Sequence, residues 1–215
     1  MNPSYQNLQA IIFDLGGVLL NIDYQLTEQA FAALNIPDFE THFSQLKQSP
    51  LFDDLETGRI SAADFCQALR RQTGASFTNE EIITAWNAML LDFPRRRLQI
   101  LQQLSLRYRL FLLSNTNEIH ETAFNHIFVQ CQGAGEHLAH YFDKIYYSHR
   151  LGMRKPDEDI FLHILRENAL KPEATLFIDD SPQHIETARR LGIQTIFLEK
   201  GMTIEDNVFL PKVRR

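Results

Sequence analysis

Apolar residues in this chain gather into two kinds of run, and their spacing separates them. Residues 10–14 (AIIFD), 109–114 (RLFLLS), 144–148 (KIYYS), 175–180 (TLFIDD) and 194–198 (QTIFL) are short and continuous. Such runs, bounded by polar or glycine positions, read as strands buried on both faces. Between them the apolar positions spread out to helical intervals. Pro94 opens one helix that runs to about Leu106, with Leu98, Leu101 and Leu104 inward. Pro156 is expected in the first turn of another, where Asp157, Glu158 and Asp159 suit the positive end of the helix dipole. Ser181-Pro182 starts a third, which Gly192 closes. Strands alternating with helices predict an α/β fold with a parallel sheet covered on both faces.

The stretch from Ile22 to Phe93 breaks this rhythm. It contains no convincing strand, and its pattern predicts helices near 25–34, 38–46, 61–71 and 79–89. Ser61 is followed by Asp64, and Thr78 by Glu81, at the spacing of helix-capping residues. The stretch therefore reads as a helical subdomain inserted after the first strand. No internal repeat or low-complexity segment interrupts the rest.

Composition narrows the class. With 44% hydrophobic and 22% charged residues among 215, the chain is an ordinary globular one, long enough for a core domain and a smaller insert. A net charge of -6 argues against a broad nucleic-acid or anionic-membrane surface, since either needs basic patches. It leaves room for a local cationic pocket. Cys66 and Cys131 lie far apart without a paired spacing, which suggests a reducing compartment. The first residues lack the order of a secretory signal, and no apolar run approaches the ~20 residues that span a bilayer. A soluble, cytoplasmic protein is expected.

Four polar clusters fall at the carboxyl ends of predicted strands, where open parallel sheets bind ligands. Asp14, before Gly16-Gly17, is a carboxylate that can attack phosphorus; alone it also reads as a turn residue. Ser114-Asn115 offers a hydroxyl and backbone N–H groups to a phosphate, or simply begins a helix. Lys155 places an ammonium where attacking carboxylate and phosphoryl charge need balancing, although a single lysine is usually solvated. Asp179-Asp180 repel each other, and a hard divalent cation such as magnesium resolves that repulsion. Phosphoryl transfer needs this set of parts together.

In this order Asp14, Ser114, Lys155 and Asp179-Asp180 resemble the four motifs of the haloacid-dehalogenase-like superfamily. FDLGGVLLNID, LLSNTN, GMRKPDEDIF and FIDDSPQHIETARRLGI all carry the resemblance. They are also similar to bacterial α-glucose-1-phosphate phosphatases and to the phosphatase-like domain of epoxide hydrolases. The resemblance implies a Rossmann-like parallel sheet in a three-layer sandwich, formed by residues 1–21 and 94–215, with residues 22–93 as a helical cap. It implies a Mg2+-dependent phosphatase acting on a small phosphorylated metabolite, with sugar phosphate preferred, through an aspartyl-phosphate. Asp14 would be nucleophile and metal ligand. Ser114 and Asn115 would bind the phosphoryl group, and Lys155 would orient both. Asp179 and Asp180 would hold the metal, with the backbone carbonyl of Gly16. The protein is expected to be a monomer or weak homodimer, with no nucleic-acid or membrane partner.

One departure matters. The position two residues after the nucleophile, usually an aspartate acting as general acid, is Gly16. Either another group supplies the proton (Asp23, Glu56 or water), or the leaving group needs little help, or turnover is slow or absent. General acid catalysis is typically worth ~10²–10⁴-fold. The rival readings are a haloacid dehalogenase, which needs no acidic metal pair, and a non-catalytic phosphate-binding protein. Receiver domains use similar parts in a different chain order. Residues 21–24 and 53–59 are expected near the substrate. His120 and His126, near the second motif, could approach the site but read rather as surface or packing residues, Trp86 as core, Arg95-Arg96-Arg97 as a solvated helix face, and 130–140 as an irregular insertion.

Overall fold

The computed structural model describes residues 7–34, 50–74 and 76–206. Five strands form one parallel sheet in the order β3-β2-β1-β4-β5: β1 (Ala10–Phe13), β2 (Arg109–Ser114), β3 (Lys144–Tyr147), β4 (Thr175–Asp179) and β5 (Gln194–Phe197). These are the five short apolar runs, each trimmed by at most a residue. β1, β2 and β4 are almost wholly buried, as continuous apolar strands must be.

Side chains alternate between the two faces. Ile11, Phe13, Leu110, Leu112, Leu176 and Ile178 join one core cluster. It includes Leu98 and Leu101 of α5 (Arg95–Ser105) and Phe124 and Phe128 of α6 (Glu118–Gln132). Ile12, Phe111, Leu113 and Phe177 join the other, with α8 (Glu158–Glu167) and α9 (Pro182–Arg190). Helix, sheet and helix thus stack as three layers around a Rossmann-like sheet.

Between β1 and α5 lie α1 (Tyr24–Ala33), α2 (Pro50–Glu56), α3 (Ala62–Thr73) and α4 (Asn79–Asn87). They pack on their own apolar cluster, built around Phe31, Phe52, Phe65 and Trp86. Both expected capping boxes form, Ser61 with Asp64 and Thr78 with Glu81. The helix expected at 38–46 lies outside the described residues.

Several expectations change. α2 carries no periodic signal long enough to announce it. Pro156 precedes its helix rather than opening it: the Lys155–Pro156 bond is cis and Asp157 is the N-cap. The stretch at 130–140 is partly regular, since α6 continues to Gln132 and a 3₁₀ turn, Leu138–Tyr141, buries Leu138 in the core. Arg95 and Arg96 are exposed, but Arg97 is buried and meets Glu205 at 3.2 Å. An arginine with a carboxylate partner tolerates burial that a lone one does not. Among the described residues no helix is long and apolar enough to cross a membrane.

Candidate active site

Strand register creates the site. Phe13 pairs with Ile178 across β1 and β4, so the next residues along, Asp14 and Asp179, emerge side by side. The strand order reverses between β1 and β4, and such switch points open a crevice at the carboxyl edge. The backbone holds the register one residue further: the Asp14 N–H donates to the Ile178 carbonyl at 2.9 Å. Ser114 ends the neighbouring β2. Asp180 follows Asp179 in the turn leading to α9.

Lys155 enters from the loop between α7 (Ser148–Leu151) and α8. It is fully buried. Its Nζ lies 2.7 Å from Asp14 Oδ1 and 2.7 Å from Asp179 Oδ2, and donates to the Leu113 carbonyl at 3.1 Å. All three ammonium protons therefore have acceptors. Asn115 grips the main chain of this lysine from both sides: its Nδ2 donates to the Lys155 carbonyl at 2.8 Å, and its Oδ1 accepts from the Lys155 N–H at 2.9 Å. Ser148 ties the same two loops, accepting from the Thr116 N–H and donating to the Thr116 carbonyl, both at 2.9 Å.

The electrostatics follow from burial and neighbours. Burial alone would pull the Lys155 ammonium down, but Asp14 and Asp179 outweigh it and hold the lysine above its ordinary value. Burial pushes the Asp14 carboxyl up, with Lys155 opposing and Asp179 adding to the rise. Asp179 suffers the same burial, yet Lys155 and His184 bring it down to about 2. The difference has a source: Asp179 also accepts from the Ser181 N–H at 2.7 Å and from His184 Nδ1 at 3.0 Å. Hydrogen bonds to the charged form favour it.

Asp14, Asp179 and Asp180 each direct a carboxylate oxygen to one place, all within 4.8 Å of one another. Three carboxylates converge here and only Asp14 and Asp179 pair with the Lys155 ammonium, so a hard cation with oxygen preference fits the donor set. Gly17 permits the approach. Its φ is +73°, and a Cβ there would sit 2.3 Å from Asp180 Oδ2.

A cavity of about 100 Å³ opens on this cluster. Its floor is Asp14, Gly16, Ser114, Asn115, Lys155 and Asp180; its walls include Tyr24, Glu56, Met89 and Leu90 from the helical segment. Every site residue expected from sequence thus borders the cavity except Asp179, which lies fully buried behind Lys155 and His184. Asp23 does not border it; its carboxylate caps α1 by accepting from the Gln25 N–H. Glu56 does, paired with Arg154 at 3.0 Å. His120 borders it too, stacked on Trp86 with ring centroids 4.5 Å apart. The tyrosine wall is strongly perturbed: burial first, then Asp180 and Asp14, hold the Tyr24 phenol well above its usual range. His184 and Arg154 went unassigned in the sequence. His184 sits five residues past Asp179, one turn into α9, a spacing that points a side chain back at the strand end.

A family model for haloacid dehalogenase-like hydrolases matches residues 8–192. D-ribitol-5-phosphate phosphatase of Bacteroides thetaiotaomicron is 34% identical over 195 residues, covering 90% of this chain and 93% of the relative. A haloacid-dehalogenase family enzyme of the same organism, an aspartate-to-alanine mutant in complex with magnesium and inorganic phosphate, superposes with a TM-score of 0.85. The two are 31% identical, and the match covers 90% of this chain and 95% of that one. A predicted hydrolase of the family from Porphyromonas gingivalis gives a TM-score of 0.81 at 36% identity, over 91% of this chain and 93% of that one.

Proposed function

Because the chain belongs to the haloacid dehalogenase-like hydrolases, we propose that it is a Mg2+-dependent phosphatase of a small sugar or sugar-alcohol phosphate. The observation that carries this reading is the meeting of Asp14, Lys155, Asp179 and Asp180 at one cavity. The relative that removes phosphate from ribitol 5-phosphate and the one that binds magnesium with phosphate support it.

The Asp14 carboxylate attacks phosphorus in line, and the bond from phosphorus to the leaving oxygen breaks as the aspartyl-phosphate forms. Lys155 holds Asp14 in its attacking orientation and offsets the charge gathering between it and the phosphoryl oxygens. The Ser114 hydroxyl, whose contact to the Asn115 carbonyl is a long 3.4 Å, turns to donate to a phosphoryl oxygen. Asn115 acts by fixing the Lys155 main chain while bordering the phosphate. Asp14, Asp179 and Asp180, with the Gly16 carbonyl, would hold the magnesium, which would supply positive charge against the phosphoryl oxygens. Water then attacks the aspartyl-phosphate, releasing phosphate and restoring Asp14. Glu56 is engaged with Arg154 and position 16 has no side chain, so the departing oxygen takes its proton from water. Residues 22–93 act as a cap that shields the site from bulk solvent.

Phosphate release from ribitol 5-phosphate is the test. The expected result is release with magnesium, none with EDTA, and a fall of at least ~10³-fold in Asp14→Asn, which loses the nucleophile. Activity retained by Asp14→Asn, or halide release from a 2-haloacid in EDTA, overturns the reading.

A further inference from the structure

Helix α2 ends at the cavity wall. Asp53 and Glu56 stand three residues apart on it, so they share a face. The Glu56 side chain is only 7% exposed. Both carboxylates meet one guanidinium, Arg154: Glu56 Oε2 lies 3.0 Å from Nη2, and Asp53 Oδ1 pairs with Nη1. Arg154 borders the same cavity and immediately precedes Lys155.

Two further contacts hold this arrangement in place. The Thr57 hydroxyl donates to the Asp53 carbonyl at 2.6 Å. At Gly58, φ is +67° and a Cβ would fall 2.2 Å from the His149 carbonyl oxygen. The chain leaving α2 therefore lies against α7 more closely than any side chain allows. Glu56 reaches the cavity because its helix is pinned to the core, not because a surface side chain has drifted inward.

Charge decides what this wall accepts. On the cavity wall Arg154 is balanced by Glu56, and Asp53, which pairs with Arg154 from outside the lining, adds a further negative charge, so the trio carries a net negative charge. Lys155, the other Lys or Arg bordering the cavity among the described residues, is divided between Asp14 and Asp179. A second anion on the substrate would meet no surplus cation, and like charges repel strongly where water is scarce. A hydroxyl has no such difficulty, since it both donates and accepts. It can donate to a carboxylate and accept from the guanidinium. The Arg154 Nε–H is also buried without an acceptor, and buried donors are normally satisfied.

We propose that Glu56 and Arg154, with Asp53 held against Arg154 from outside the cavity, form a selectivity wall that accepts an uncharged polyhydroxy leaving group and rejects one bearing a carboxylate or a second phosphate. The inference rests on the phosphatase reading and deepens it. The measurement is kcat/KM with magnesium for ribitol 5-phosphate, 3-phosphoglycerate and ribulose 1,5-bisphosphate. In the unmodified protein the neutral-chain substrate is expected to lead by about a hundredfold, because juxtaposed like charges are costly. Glu56→Gln should shrink that lead about tenfold by raising the rate on the two anionic substrates. Asp53→Asn should shrink it less. Asp54→Asn, which removes a charge from the same helix but pairs outward with Arg59 at 2.6 Å, should leave the lead unchanged. A merely structural role for Glu56 would lower all three rates together. Equal rates on all three substrates, or a lead untouched by both Glu56→Gln and Asp53→Asn, overturn the proposal while leaving the phosphatase reading intact. No release from any of the three overturns both.

Discussion

Lys155 carries the charge balance of the site. It is fully buried, and its ammonium sits between two buried carboxylates. Removing one member of such a group leaves the others uncompensated. Lys155→Met is expected to lower the free energy of unfolding by roughly 3–5 kcal/mol in magnesium-free buffer, read from urea melts, and to abolish phosphate release. A melt unchanged from the parent would mean that the carboxylates are better solvated than this geometry allows. Gly17 makes the opposite kind of contribution, by absence. A methyl group there meets both the left-handed backbone and the Asp180 carboxylate. Gly17→Ala should cost about 1–2 kcal/mol in backbone strain and keep its fold by circular dichroism. Displacing Asp180 should weaken magnesium binding by about tenfold or more in calorimetric titration. Unaltered affinity would show that Asp180 has room to move aside. Asp14, Ser114 and Asp179 were legible from sequence because each sits at the polar end of an apolar run, and Lys155 because it stands just before a helix start, in the loop between α7 and α8. Arg154 and His184 were not. Their partners lie on α2 and at the end of β4, and the chain alone does not say how those segments meet.

At the level of elements, the five strands announced themselves because parallel strands covered on both faces are apolar throughout. The helices were legible where a cap or a proline marked their start. They were less so where, as in α2, a seven-residue helix is held by packing of Phe52 and Leu55 rather than by its own periodicity. At the junction between α4 and α6 the sequence offered Trp86 as core and His120 as a surface or packing residue, but not their contact. There His120 is buried, stacks on Trp86 and bonds the Trp86 carbonyl through Nε2 at 3.1 Å. Thr27 reinforces it, donating to that carbonyl at 3.1 Å and accepting from the Met89 N–H at 3.0 Å. Burial holds the His120 imidazole down to about 4 from 6.5. The sign follows directly. Between those values the unfolded chain takes up a proton that the folded one refuses, so stability is full above about pH 6.5 and drains away as pH falls toward 4. The loss amounts to roughly 3 kcal/mol. Urea midpoints measured across that range should slope less steeply in His120→Asn than in the parent; identical slopes would place the titration elsewhere.

Across the whole molecule, the sheet positions the carboxylates and the inserted helices wall the cavity above them. The fold was readable from the alternation of strands and helices, and the presence of a separate helical stretch from its lack of strands. What the chain could not disclose is which face of that stretch turns toward the strand ends, because amphipathic helices pack equally well in several rotations before the core is assembled. The depth at which Lys155 lies has a practical corollary. Lys144, Lys171 and Lys200 are open to solvent, whereas the Lys155 amine is sealed and held above its ordinary value by Asp14 and Asp179, and acylating reagents attack only the accessible neutral form. Treatment of the folded protein with acetic anhydride should therefore modify its surface amines while sparing Lys155. Turnover should survive, and mass spectrometry of the digested product should find the peptide around position 155 unlabelled until the chain is unfolded first.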